Sequence, residues 1–182
     1  MKWTVFDEIR RYFRYRNVLK EIPNNSVICD YGCKDGGLLY TLSPKIRKGY
    51  GCDLRIKSRN EGNLEFKQID LIENIPKIDV DRLCMIGFVE HFSVENTKKI
   101  LKNGAKIIKA NGKLLITTPS KYSKFILELM AKLKLIDGDE IFDHKHYFTK
   151  SELAKLLKRV GYKKVNIRYF EFGMNIFAIA EK

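Results

Sequence analysis

Between Val27 and Gly37 the chain reads VICDYGCKDGG, an apolar run that delivers one acid, Asp30, into a turn holding Gly32, Gly36 and Gly37. A second apolar run opens at Leu38. A strand with no polar alternation is buried on both faces, which happens where parallel strands are joined by crossover helices. Glycines after such a strand let the backbone approach a ligand with no Cβ in the way. Amides in the first turn of a following helix carry partial positive charge suited to a carboxylate or phosphate. The order strand, acid, glycine turn, helix therefore constrains the chain to an α/β fold with a nucleotide-type pocket at a strand's carboxyl end.

The rest of the chain alternates in the same way. Short β-rich runs are predicted at 26–31, 49–53, 64–69, 82–87 and 113–118, with LCMIGFV again lacking polar alternation. Two further β-rich runs, Lys164 to Phe170 and Met174 to Ala180, are split by Gly173. Between them lie helical patterns. Trp3, Phe6, Ile9 and Phe13 recur at three- and four-residue spacing, which predicts an N-terminal helix over 1–20 with these residues turned inward. Ser93 caps a helix to about Lys109 that Asn111 and Gly112 end, with Lys98, Lys102, Lys106, Lys109 and Lys113 on its solvent face. Pro119 closes the fifth strand. In KYSKFILELMAKLKLI the positions Tyr122, Phe125, Ile126, Leu129, Met130 and Leu133 keep helical spacing, a pattern read as core packing ahead of a substrate lid. Thr149 with Glu152 forms a capping box for the last helix, which Gly161 ends.

Five stretches, in order from about Val27 to Tyr162, resemble the motifs of class I S-adenosylmethionine-dependent methyltransferases. VICDYGCKDGG resembles that family's first motif, GYGCDLR offers the ribose-binding acid as Asp53, and NLEFKQIDL places Asp70 where the family binds the adenine amine. RLCMIGFVEHF resembles the fourth motif, and ILKNGAKIIKANGKLLITTPS the helix, glycine turn and fifth strand that follow. The resemblance implies a doubly wound, mostly parallel seven-stranded sheet with a C-terminal antiparallel hairpin and helices on both faces. It also implies S-adenosylmethionine as cofactor. The implied binding set is Asp30, Gly32, Cys33, Lys34 and Gly36 from the turn, Asp53 and Leu54, Asp70 and Leu71, and Ile86 and Gly87 from the next three strand ends. Lys34 stands where the family more often has glycine; it can reach the methionyl carboxylate, or crowd the pocket and repel the sulfonium.

The expected organisation is one domain over 1–182, with a cofactor-binding core at 26–120 and an acceptor side at 121–182. Its longest uncharged apolar run, Leu83 to Val89, is too short to cross a bilayer, and Asp7 and Glu8 interrupt any leader, so a cytoplasmic protein is expected. Cys29, Cys33, Cys52 and Cys84 lack metal-type spacing and read as reduced, partly buried thiols. The loop DGDEIFDHKH carries Asp137, Asp139, Glu140, Asp143, His144 and His146, but its spacing matches no established metal loop, and no metal site is expected. The net charge of +13 comes largely from dispersed lysines. RRYFRYR differs, because Arg10, Arg11, Arg14 and Arg16 interleave with Tyr12, Phe13 and Tyr15, a composition that can hold phosphates and stack bases.

Among acceptors, exocyclic base amines call for an Asn or Asp followed by Pro-Pro and an aromatic at the fourth motif, where this chain has Gly87, Phe88, Val89 and Glu90. Cys84 lacks the preceding proline of a cytosine-carbon nucleophile, and the turn is not the Gly-x-Gly-x-x-Gly of a dehydrogenase. A small-molecule, glycan or lipid-linked acceptor, methylated at oxygen, is the reading that follows, with a nucleic-acid modifier and a non-catalytic partner subunit as the alternatives. His91 is the first candidate for a general base, since an imidazole near its ordinary pKa suits proton removal near neutrality; His144 and His146 compete for the role.

Overall fold

In the computed structural model, which describes residues 4–136 and 138–182, strand β1 (Val27–Tyr31) lies inside the sheet, all five of its residues buried. Parallel neighbours flank it, β2 (Lys48–Asp53) on one side and β5 (Val80–Ile86) on the other. Outside β2 lies β4 (Leu64–Gln68), and outside β5 lies β6 (Ile108–Pro119), both also parallel. The hairpin of β7 (Val165–Phe170) and β8 (Asn175–Glu181) closes the edge, β8 running antiparallel to β6. All seven expected strands form. An eighth, β3 (Arg59–Glu61), pairs antiparallel with β4 at the far edge; its three residues are too few to show a period.

Alternate residues of the buried strands feed two cores. Cys29, Tyr31, Leu83, Met85, Leu114 and Ile116 point to one face, where Ile100 and Leu101 of α3 (Val94–Ile107) and Leu153 and Leu157 of α6 (Lys150–Arg159) cover them. Ile28, Cys84 and Leu115 point to the other, under Val18 of α1 (Val5–Leu19) and Leu38, Leu39 and Leu42 of α2 (Gly37–Leu42). Helices thus cover both faces, and the chain winds away from β1 in opposite directions. That switch leaves a crevice at the carboxyl ends of β1 and β5. The four cysteines are free and buried, as expected. No helix among the described residues is long and apolar enough to cross a membrane.

Several local readings change. The capping boxes at Thr4 and at Thr149 with Glu152 both form, and Ser93 caps α3 through the Asn96 amide at 3.2 Å. Yet α3 ends at Ile107, and Asn111, with φ of +64°, sits in β6 where the ladder jumps from Val80 opposite Ile108 to Arg82 opposite Lys113. Lys109 and Lys113 therefore leave the helix, and they pair with Asp81 and Glu181 at 3.0 and 3.7 Å. Phe6 and Ile9 do not face inward: they are 45% and 44% exposed, while Asp7 and Arg10 are buried. On α4 (Lys124–Lys132) and its flanks, Tyr122, Phe125, Ile126, Leu129 and Leu133 are exposed rather than in the core. Leu127 and Ala131 face inward instead, packing with Ile141 of α5 (Gly138–Phe142) and with Tyr147. Trp3 and Asp137 lie outside the described residues.

Candidate active site

The turn after β1 is held open by left-handed backbone. Gly32 has φ of +75°, and a Cβ there would come 2.3 Å from Phe88; Gly36 has φ of +88°, and its Cβ would meet Phe66 at 2.7 Å. Lys34 also takes a positive φ, +47°, a conformation that costs a side-chain-bearing residue about 1 kcal/mol. A carboxylate holds it there. Asp53, at the end of β2, accepts from the Lys34 amide at 3.0 Å through one oxygen and from the Arg55 amide at 2.8 Å through the other. The helix α2 contributes less than expected, since it has six residues, the Gly37 amide goes to Asp35 at 3.1 Å and the Gly36 amide to the Cys33 carbonyl at 2.8 Å. Glycine clearance, rather than helix-end amides, shapes this wall.

A narrow cleft, open to solvent at its mouth, lies at the crevice. Asp30, Gly32, Cys33 and Lys34 form one wall, Ile86 and Gly87 another, and His91 and His144 stand on its rim. Asp53 and Gly36 are not among its lining; Asp53 is tied to the cleft wall through the Lys34 amide, and Gly36 lies in the same turn. Leu54, Asp70 and Leu71 are not among its lining: Leu54 is exposed, Leu71 packs into the core, and one oxygen of Asp70 caps a turn through the Ile72 amide at 2.9 Å.

Burial drives the Asp30 carboxyl up to about 8, and Asp53 and Asp35 nearby push it in the same direction. From the ordinary carboxylate range up to that value, the folded protein keeps a proton the unfolded chain has released. Stability from this group is therefore full at low pH and is lost as pH rises toward 8. Asp30→Asn should gain stability relative to the parent progressively from about pH 4 to 8, read by urea unfolding across that range.

Beyond Gly87 the chain turns through Glu90, which is 1% exposed and accepts from the Thr118 hydroxyl at 3.1 Å. Its carbonyl accepts from the Lys145 and His146 amides at 2.8 and 3.2 Å, and these bonds bring the distant histidine loop to the fourth strand's end. His91 then meets Asp143, Nδ1 to Oδ2 at 3.1 Å, and His144 meets the Tyr147 hydroxyl at 2.9 Å. His146 is placed elsewhere, stacked edge-on against Phe148 with centroids 4.4 Å apart and absent from the cleft lining. Burial, and secondarily the neighbouring His91, Arg14 and Arg10, lowers His144 to about 4, although Glu90 opposes this. In a proton NMR titration, one histidine should stay neutral down to about pH 4, and His144→Gln should remove that signal. Ligand atoms of Glu90, His91 and His144 lie within 4.8 Å of one another, a donor set of metal-binding type, but Arg10 and Arg14 act on the same spot and oppose a cation there.

The sequence places α1 beside the pocket but does not show which of its sides lines the cleft. Positions 7, 10, 14 and 18 form its inner face, and three of them are charged, so no apolar periodicity marks it. Arg14 reaches deepest: a Cβ on Gly87 would come 2.5 Å from its Nη1, and its Nη2 donates to Asn175 at 3.4 Å. Arg10 and Arg11 also line the cleft, whereas Arg16 is exposed and borders an open hollow with Lys20.

The model of the methyltransferase-domain family matches residues 5–167. The chain belongs to that family. A SAM-dependent methyltransferase from Archaeoglobus fulgidus superposes with a TM-score of 0.72 at 18% identity, over 95% of this chain and 94% of the other. A Haloferax volcanii protein solved in complex with the Trm112 methyltransferase activator gives a TM-score of 0.74 at 12% identity, over 96% and 90%. Magnesium protoporphyrin IX methyltransferase from Synechocystis, solved with bound S-adenosylhomocysteine, gives 0.65 at 15%, over 96% and 82%. These likenesses show the fold: a mostly parallel sheet with a terminal antiparallel hairpin. No curated protein matches the chain.

Proposed function

We propose that the chain transfers a methyl group from S-adenosylmethionine to an oxygen of a small-molecule, glycan or lipid-linked acceptor in the cytoplasm. Membership of the methyltransferase-domain family makes S-adenosylmethionine the methyl donor, and the group supplies an electrophilic methyl on a sulfonium. The observation that carries the reading is a single cleft in which the glycine turn, the buried Asp30 and the Asp143-bound His91 meet.

In this reading Asp53 accepts from the ribose hydroxyls, and Asp70, outside the cleft lining, accepts from the adenine amine through the oxygen that does not cap Ile72, while Gly32 to Gly36 clear space for the methionyl tail, with Lys34 beside it. Ile86 and Gly87 face the reacting end. His91 takes the acceptor hydroxyl's proton on the ring nitrogen opposite Nδ1, and Asp143 at 3.1 Å steadies the resulting imidazolium. His144, held neutral by burial, orients rather than stores a proton. Holding acceptor and donor in line supplies about 7 to 11 kcal/mol in favourable cases. A second reading, a nucleic-acid acceptor, draws on the open hollow lined by Arg11, Tyr12, Arg16 and Lys20. It requires oligonucleotide binding that weakens steeply with salt.

The test is calorimetric titration with S-adenosylmethionine, S-adenosylhomocysteine and NAD. Binding of the first two without the third is expected; binding of neither overturns the proposal and selects the non-catalytic alternative.

A further inference from the structure

Two neighbouring helices turn apolar faces outward. Tyr122, Phe125, Ile126, Leu129 and Leu133, on α4 and its flanks, recur at helical spacing and are 71, 75, 45, 46 and 61% exposed. On α1 the outer residues Val5, Phe6, Ile9 and Tyr12 are between 44% and 72% exposed, while charged Asp7 and Arg10 are buried. Near its start α1 is inverted relative to an ordinary surface helix, and α4 carries apolar residues on its outer side as well as Leu127 and Ala131 on its inner one. A hydrogen bond brings the two helices together: the Thr4 hydroxyl donates to the Leu135 carbonyl at 2.8 Å, which sets the start of α1 against the segment after α4. Ser120 donates to the Gly173 carbonyl at 2.7 Å, and the Tyr122 ring lies 6.1 Å from Tyr169, which brings the β7–β8 hairpin tip beside the same face. At that tip Phe172, with φ of +55°, stands 104% exposed in a tight turn closed by the Gly173 amide on the Phe170 carbonyl at 3.2 Å.

A patch of this kind marks an interaction site, because each such side chain left in water forgoes about 1 to 2 kcal/mol of burial. Charge decides what covers it. Lys121, Lys124, Lys132 and Lys134 interleave with the apolar residues and are exposed, in a chain of net charge +13. A second copy packed on this face by a two-fold axis would set those lysines against one another. A protruding phenylalanine and a fringe of lysines instead match an acyl layer beneath anionic headgroups.

We propose that the face formed by α4, the outer side of α1 and Phe172 seats the protein on an anionic lipid bilayer. The inference goes beyond methyl transfer and stands without it. Of the two helices of this face, α1 also lines the cleft, with Asp7, Arg10 and Arg14 on its inner side.

The test is sedimentation with vesicles of phosphatidylcholine alone and of phosphatidylcholine with an equal share of phosphatidylglycerol, at about 0.1 M salt. Binding to the anionic vesicles, at least about tenfold tighter than to the neutral ones, is expected. Phe125→Ser with Leu129→Ser should weaken it by about tenfold or more, and Phe172→Ser alone by several-fold, with thermal unfolding and S-adenosylhomocysteine affinity unchanged. These positions are exposed, so the fold tolerates the changes; if the double variant unfolds, Phe172→Ser alone decides. No binding to anionic vesicles, or binding indifferent to these substitutions, overturns the proposal. So does a dimer by light scattering that the double variant dissolves, which would assign the face to a second copy.

Discussion

Asp53→Ala should weaken affinity for S-adenosylhomocysteine by one to two orders of magnitude in a calorimetric titration. Charge-assisted hydrogen bonds to a ribose are worth about 1.5 to 3 kcal/mol, and each 1.4 kcal/mol is roughly a factor of ten. The same carboxylate anchors the Lys34 and Arg55 amides at 3.0 and 2.8 Å, so its loss also frees a turn whose Lys34 sits at positive φ. Asp53→Asn keeps an acceptor for one amide and should fall between the two. Affinity unchanged in the alanine variant would refute the ribose assignment.

Gly32→Ala should cost the largest amount of stability of any small substitution near the cleft. Its φ of +75° charges a side chain about 1 kcal/mol, and the new Cβ would stand 2.3 Å from the Phe88 ring. That ring cannot move cheaply, because it packs edge-on against Phe92 and Tyr31 with centroids 4.8 and 6.5 Å away. Strain and overpacking together come to about 3 kcal/mol, or roughly 6 to 12 °C in melting temperature for a domain of this size. Gly62→Ala is the control, since Gly62 has φ of +57° but nothing within 4 Å of its Cβ. If the two variants melt alike, Phe88 does not enforce glycine at position 32.

Much of the fold was legible because its signals are local. The buried strands announce themselves as unbroken apolar runs, the caps at Ser93 and Thr149 by side chains that reach amides three residues on, and the hairpin by Gly173 between β-rich runs. Strand β3 was not, because three residues carry no period. The direction of α1 and α4 was misread for one reason. Apolar spacing identifies a helix face but not what faces it, and here the inner side of α1 holds Asp7, Arg10 and Arg14 against the cleft. The histidines were legible as residue types but not as a group: the Lys145 and His146 amides on the Glu90 carbonyl, with Asp143 on His91, bring His144 to His91 and leave His146 on Phe148.

The order of residues by itself settled the α/β alternation, the glycine turn after β1 and the acids at successive strand ends, since each depends on chemistry within a few neighbouring positions. Only the tertiary structure decided which side chains share the cleft, why Asp30 holds its proton to about pH 8, and which apolar faces are left in water. Burial and field are properties of what surrounds a residue, and those surroundings come from segments far apart in the chain.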